Sequence, residues 1–288
     1  MNKLTVLSLC DGIACGRLAL ERAGIPVGKY YASEIKPIAI KCATENWPDI
    51  IEVGDVNKVS YENGVLHTEK GNFETGPIDL VIFGSPCQTF SVCMRTELRI
   101  GLEDKEKSGL FLECHRVLTE VNPKWFFVEN VASMKDEDKN VLTRMLGVEP
   151  VKIDSKICAP AMRKRLYWTN IPHNRPFPKN DVKLKDIITS GYTERDKARA
   201  LLVSDSRPLT SKDKMIRRFN KGFGTLIWEE QGNDESVRYM NQVELERCQT
   251  VPDGYTKMLT RNEAANVLGD GWTIDVVKWF FEGMQNGD

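Results

Sequence analysis

Cys87 is the side chain of this sequence best placed for nucleophilic chemistry. It stands in Gly84-Ser85-Pro86-Cys87-Gln88-Thr89-Phe90, with Ser91 behind it, directly after the apolar run 78–83. A buried strand would deliver the thiol, stiffened by the preceding proline, to the carboxyl edge of a sheet, where open α/β folds do their chemistry. A second apolar run, Trp125-Phe126-Phe127-Val128, ends in Glu129-Asn130-Val131. Neighbouring strand ends would then carry a thiol and a carboxyl, a nucleophile and an acid–base group. Arg163 and Arg165, in Ala161-Met162-Arg163-Lys164-Arg165, add two guanidinium groups, although a solvated basic loop has the same composition.

A second constellation lies upstream. The first apolar run, 4–9, opens into Asp11-Gly12-Ile13-Ala14-Cys15-Gly16. Glycines at a first strand-to-helix turn let backbone approach a ligand and leave helix N–H groups facing it. The Gly-x-Gly-x-x-Gly dinucleotide fingerprint is absent, which disfavours a nicotinamide. Glu34 closes the next strand, where a carboxylate can accept both hydroxyls of a ribose. Asp55, in Gly54-Asp55-Val56, closes the third, where it can receive an exocyclic amino group. Each acid alone reads as a solvated loop residue; together, in this order beside a glycine turn, they read as a nucleoside pocket.

The elements that must position these groups alternate through the first 170 residues. Short apolar runs at 4–9, 29–33, 50–53, 78–83, 124–128, 151–157 and 166–169 predict strands. Helices are expected at 15–23, 38–46 and 109–121; the last carries Leu110, Phe111, Cys114, Val117 and Leu118 on one face. This alternation argues for a parallel sheet with helices on both faces. Periodicity weakens after Pro172, and only short ordered pieces are expected up to about Tyr255. Residues 195–221 hold most of the positive charge there, and helix is expected again at 261–269 and 274–284.

Pro86-Cys87-Gln88 followed by Glu129-Asn130-Val131 resembles the signature of the cytosine-5 DNA methyltransferases. Residues 4–170 and about 240–284 follow that family's order. The likeness at 7–16 and 84–91 leans towards the vertebrate de novo enzymes, and the tryptophan of Leu268-Gly269-Asp270-Gly271-Trp272-Thr273 is similar to theirs. The resemblance implies an α/β fold, a Rossmann-like doubly wound sheet of the S-adenosylmethionine-dependent methyltransferase kind, with a small irregular target-recognition lobe. Residues 1–171 and 256–288 would form the catalytic, cofactor-binding domain, and 172–255 the recognition region. A stand-alone catalytic domain of bacterial or phage type is expected.

The resemblance also assigns roles. It implies methyl transfer from S-adenosyl-L-methionine, leaving S-adenosyl-L-homocysteine, to carbon 5 of a cytosine turned out of double-stranded DNA. Cys87 would bond carbon 6 of the base, and Glu129 would donate or share a proton at N3. Asn130 would hold that carboxyl and the neighbouring loop, while Arg163 and Arg165 would grip the base carbonyl and nearby backbone. Ala161 stands where many bacterial members carry glutamine. The implied cofactor set is Asp11, Gly12, Ile13, Gly16, Glu34, Ile35, Asp55, Val56, Gly84, Pro86, Leu110 and Trp272. Gln88, Ser91 and Arg95, on a loop from 88 to 108, would meet DNA. Arg207, Lys212 and Lys214 would do so from the recognition region, with Lys212 or Arg207 reading a base edge.

Bulk composition sets bounds on these readings. The 288 residues are 41% hydrophobic and 28% charged, as in ordinary globular proteins, and the net charge is −1, so a polyanionic partner must be argued from local charge. Eight cysteines without a C-x-x-C pair, and three histidines without ligand spacing, argue against a disulfide framework or a zinc site and for a reducing, cytoplasmic setting. The apolar start stops at Asp11-Gly12 without a cleavage pattern, so it reads as a strand rather than a signal peptide, and no membrane or metal partner is expected. Two alternatives share the fold. A tRNA cytosine-5 methyltransferase would be expected to carry a Cys-Phe-Thr segment, which is absent. A silent DNA- or partner-binding accessory protein would be expected to lack the thiol or the cofactor acids, which are present.

Overall fold

The computed structural model describes residues 2–86, 109–201 and 206–286. The amino-terminal half alternates β1 (Leu4–Leu9), α1 (Cys15–Arg22), β2 (Val27–Ser33), α2 (Pro37–Asn46) and β3 (Ile50–Glu52). Three short strands, β4 (Ser60–Glu62), β5 (Val65–Thr68) and β6 (Gly71–Glu74), then form an antiparallel sheet of their own. Next come β7 (Leu80–Phe83), α3 (Leu110–Val121), β8 (Trp125–Val131), α4 (Asp136–Leu146), β9 (Val151–Asp154) and β10 (Lys164–Thr169). The remainder holds α5 (Lys212–Asn220), β11 (Leu226–Trp228), β12 (Val237–Tyr239), α6 (Gln242–Cys248), α7 (Arg261–Asp270) and α8 (Ile274–Phe281).

The main sheet has seven strands in the order β3-β2-β1-β7-β8-β10-β9. The order reverses between β1 and β7, the switch point at which doubly wound sheets open a ligand crevice. One expectation fails: the sheet is not wholly parallel. β10 runs antiparallel to both β8 and β9, because it returns directly from the turn after β9 with no crossover helix to reverse it. The 151–157 run also divides, with a 3-10 turn taking Ser155–Ile157.

Side-chain alternation separates two cores. Val6, Leu80, Ile82 and Phe127 face α1, α2 and α8, whereas Leu7, Leu9, Val81, Phe83 and Val128 face α3 and α4. On the first face Phe127 is ringed by Tyr167, Trp272, Phe280 and Phe281, with centroids 5.3–5.6 Å away. α8 packs on α1 and so covers the start of the sheet with the far end of the sequence. The stretch read as mostly irregular contains a third, small core. Met215 and Phe219 of α5 lie on Leu226, Trp228 and Val237 of the β11–β12 hairpin. Met240, Leu245, Cys248, Val251 and Tyr255 belong to the first core.

Candidate active site

At the end of β1 the backbone makes a contorted turn. Cys10, Gly12 and Ala14 all have positive φ, at 53°, 66° and 59°. A Cβ built on Gly12 would meet nothing within 4 Å, so space is open for a ligand to approach the peptide. The Gly12 N–H donates to Glu34 Oε2 at 2.8 Å, while Glu34 Oε1 accepts from the N–H groups of Ile35 and Lys36 at 2.8 and 2.9 Å. Glu34 is thereby fixed against the turn that follows β1, and Ile35 beside it is 67% exposed.

Asp11 is buried, and its Oδ1 accepts from the Tyr30 hydroxyl at 2.7 Å. Oδ2 is also buried and has no hydrogen-bond partner. Burial pushes the Asp11 carboxyl up to about 6, against the opposing help of the Ser8 and Tyr30 hydroxyls. A buried oxygen left open beside a turn with free space suits a cationic or hydroxyl-bearing ligand. Asp55 is placed differently from a plain ligand acid: its Oδ1 caps the following 3-10 turn, accepting from the backbone and side-chain N–H groups of Asn57 at 3.0 and 2.8 Å.

Four members of the expected cofactor set contribute mainly packing. Gly16 lies inside α1, where a Cβ would fall 2.1 Å from Ile82 Cδ1, so this glycine brings the helix onto the sheet rather than opening a ligand path. The Ile13 side chain is buried in the first core and that of Val56 in the second. Leu110 begins α3 and leans on the second core.

The other half of the site gathers at the ends of β7 and β8. Glu129 shares the sheet face of Trp125 and Phe127 and is almost wholly buried. Its Oε1 lies 2.6 Å from Arg165 Nε and 3.9 Å from Arg163 Nη2. Arg163 also donates from Nη1 to the Gly269 carbonyl at 3.0 Å, tying this corner to the segment that carries Trp272. A Cβ on Gly84 would stand 2.8 Å from Trp272 Nε1 and 3.2 Å from Glu129 Oε2, so only glycine fits between indole and carboxyl. Asn130 Nδ2 donates to Ser85 Oγ at 3.2 Å and thus bridges β8 to the segment of the half-buried Pro86, while its Oδ1 accepts from the Val131 N–H. Cys87, Gln88, Ser91 and Arg95 lie outside the described residues.

In the recognition region Arg207 and Lys214 are exposed. Lys212 is half-buried, and its ammonium donates to the Val237 carbonyl. Sequence reasoning missed Glu52, at the end of β3, whose two oxygens are buried and have no hydrogen-bond partner. It also missed Tyr30 as the support of Asp11. It assigned Trp272 to the cofactor segment without its place against Glu129, since nothing local links residues so far apart.

The fold and site define a doubly wound α/β protein with acids after three successive strands beside its switch point and a carboxyl–guanidinium pair on β8 and β10. Comparison with known proteins narrows the class: C-5 cytosine-specific DNA methylases match residues 4–148, and the chain belongs to that family. It is 32% identical over 208 residues to the orphan methyltransferase M.SPRI of Bacillus phage SPR, covering 66% of this chain and 44% of that protein. It is 26% identical over 267 residues to the type II methyltransferase M.NgoBV of Neisseria gonorrhoeae, covering 82% and 56%. The chain thus spans about half the length of the curated relatives it matches. Among solved structures it resembles the Entamoeba histolytica methyltransferase EhMeth, with TM-score 0.73 at 15% identity over 100% of this chain and 99% of that one. S. pombe Dnmt2 methyltransferase gives 0.65 at 16% identity, covering 96% of each chain. At these identities the structural likeness supports the fold.

Proposed function

We propose that this chain is a DNA cytosine-5 methyltransferase using S-adenosyl-L-methionine, and that residues 172–255 recognise the target duplex. The observation that carries the reading is the Glu129 corner: one carboxyl oxygen is paired with Arg165, and the other faces the Gly84 peptide, from which Cys87 is three residues onward. The open space at Gly12, the unpartnered Asp11 oxygen and the backbone-held Glu34 fit a donor that carries positive charge and ribose hydroxyls. Asp11, Glu34 and Asp55 would hold it, with Ile35 lying along its nucleoside. When bound, it supplies an activated methyl group.

Carbon 5 of cytosine is a weak nucleophile. The Cys87 thiolate adds to carbon 6, and the ring electron pair moves towards carbon 5, which takes the methyl group. Glu129 shares a proton at N3, offsetting the negative charge that builds in the ring as sulfur attacks. Arg165 and Arg163 hold Glu129 in place through the addition. Loss of the carbon 5 proton then returns the electron pair and expels the Cys87 thiolate, closing the balance. A base stacked in a duplex cannot reach this corner and must be turned out.

The test is transfer of a labelled methyl group from S-adenosylmethionine to duplex DNA, with tRNA in a parallel reaction. Label should enter DNA and vanish in Cys87→Ala, while cofactor binding stays near wild type. DNA carrying 5-fluorocytosine at the methylated position should trap a covalent adduct, since fluorine blocks the final elimination. Label only in tRNA would replace the substrate, and activity in Cys87→Ala would remove the nucleophile.

A further inference from the structure

Three large hydrophobic side chains among the described residues are exposed: Ile35, Leu112 and Phe223. Ile35 adjoins Glu34, whose carboxylate holds its backbone N–H. Phe223, 56% exposed, has no such neighbour and stands at the tip of the third core. A lone exposed phenylalanine is ordinary on a protein surface. This one differs in how its backbone is held.

α5 ends in a Schellman turn. Gly222, at φ +88°, donates to the Phe219 carbonyl at 2.8 Å, and the Phe223 N–H donates to the Arg218 carbonyl at 3.1 Å. The residue in the position of Phe223 commonly packs back on its helix; here it faces outward. Gly224, at φ +70°, turns the chain into β11. Arg195 secures both sides of the tip from beneath, donating to the Phe219 carbonyl at 2.7 Å and to the Gly224 carbonyl at 3.0 Å, with its guanidinium 4.0 Å from the Phe219 ring. The loop is thus fixed before any partner arrives, which lowers the ordering cost of using its aromatic tip as a contact.

Charge says which partner. Residues 195–221 contain nine Lys and Arg against three Asp. Arg217 and Lys221 are exposed on α5 and its end, and Arg199 Nη2 comes within 3.8 Å of the position a Gly222 Cβ would take. A rigid apolar tip with Arg199 close to its turn and Arg217 and Lys221 exposed on the preceding helix end matches the edge of a duplex, where phosphates lie on either side of a groove and the thymine 5-methyl is the apolar group that bases display. Lys212 donates to the Val237 carbonyl, whereas Phe223 stands exposed.

We propose that Phe223 is a specificity-determining residue that rests against a thymine 5-methyl group in the major groove of the target duplex; this rests on the DNA methyltransferase reading. The test begins by mapping methylated positions in plasmid DNA after treatment with wild-type protein. Binding and kcat/KM are then measured on a duplex carrying the mapped site, and on the same duplex with thymines beside the target replaced by deoxyuridine. Wild type should lose about fourfold in affinity per methyl removed, the worth of one buried methyl group. Phe223→Ala should bind the thymine duplex as weakly as wild type binds the deoxyuridine duplex and should be insensitive to the replacement. Phe223→Leu should recover part of the discrimination, and the salt dependence of all three should match, since phosphate contacts are untouched. Equal thymine-to-deoxyuridine losses in wild type and Phe223→Ala would overturn the proposal, as would a mapped site with no thymine beside the target. A wild-type protein that methylates no DNA would instead overturn the underlying function.

Discussion

At the scale of single residues, the site depends on one missing side chain. Gly84 leaves a gap that Trp272 and Glu129 fill from opposite sides, and the aromatic ring around Phe127 fixes the indole. In Gly84→Ala the new methyl group must displace the indole, the carboxyl or the strand end. Overpacking of this sort costs about 1–3 kcal/mol of stability, and displacing a reacting group by about 1 Å costs on the order of a hundredfold in rate. Methyl transfer should therefore fall far more than thermal stability, with the melting temperature as the control; a variant of near wild-type rate would remove Gly84 from the site's geometry. Glu129 and the arginines were legible because each sits at a strand end in a short motif. The fit of Trp272 against Glu129 was not, because it depends on how α8 docks and no local pattern encodes that.

At the scale of elements, the carboxyl edge of the sheet collects acids that repel one another. Glu52 ends β3 with both oxygens buried and unpartnered; burial, with Asp11 and Glu34 nearby, pushes its carboxyl up to about 7 despite Lys70. The sign follows directly. A carboxyl whose pKa is raised on folding binds an extra proton in the native state, so its stabilisation is complete below the unfolded value near 4.5 and lost as pH rises through about 7. Glu52→Gln should match wild-type melting temperature at pH 4 and exceed it at pH 8.5. A constant difference between the two proteins across that range would contradict the assignment. The long parallel strands were readable from apolar runs bounded by turns. β4–β6 were overlooked although Asn63-Gly64, both at positive φ between β4 and β5, carries the two-residue hairpin signal. α5 was hidden because its buried side is only Met215 and Phe219 in a run dominated by charge.

At the scale of the whole molecule, distant segments share one core. A Cβ on Gly283 would lie 1.9 Å from the Pro172 carbonyl oxygen, so the backbone after α8 lies directly against the turn that follows β10. A methyl group there meets backbone, which cannot rotate away. Gly283→Ala should lower the melting temperature by about 5 °C, the shift that about 2 kcal/mol of overpacking produces in a domain of this size. An unchanged melting curve would show that the junction yields freely. The docking of α8 on α1 has a further consequence, for synthesis. Contacts between such distant segments form late, and the apolar face of α1 lacks this cover until residue 281 has left the ribosome. Until that residue emerges, the growing chain keeps a sticky, unfinished side that chaperones can hold.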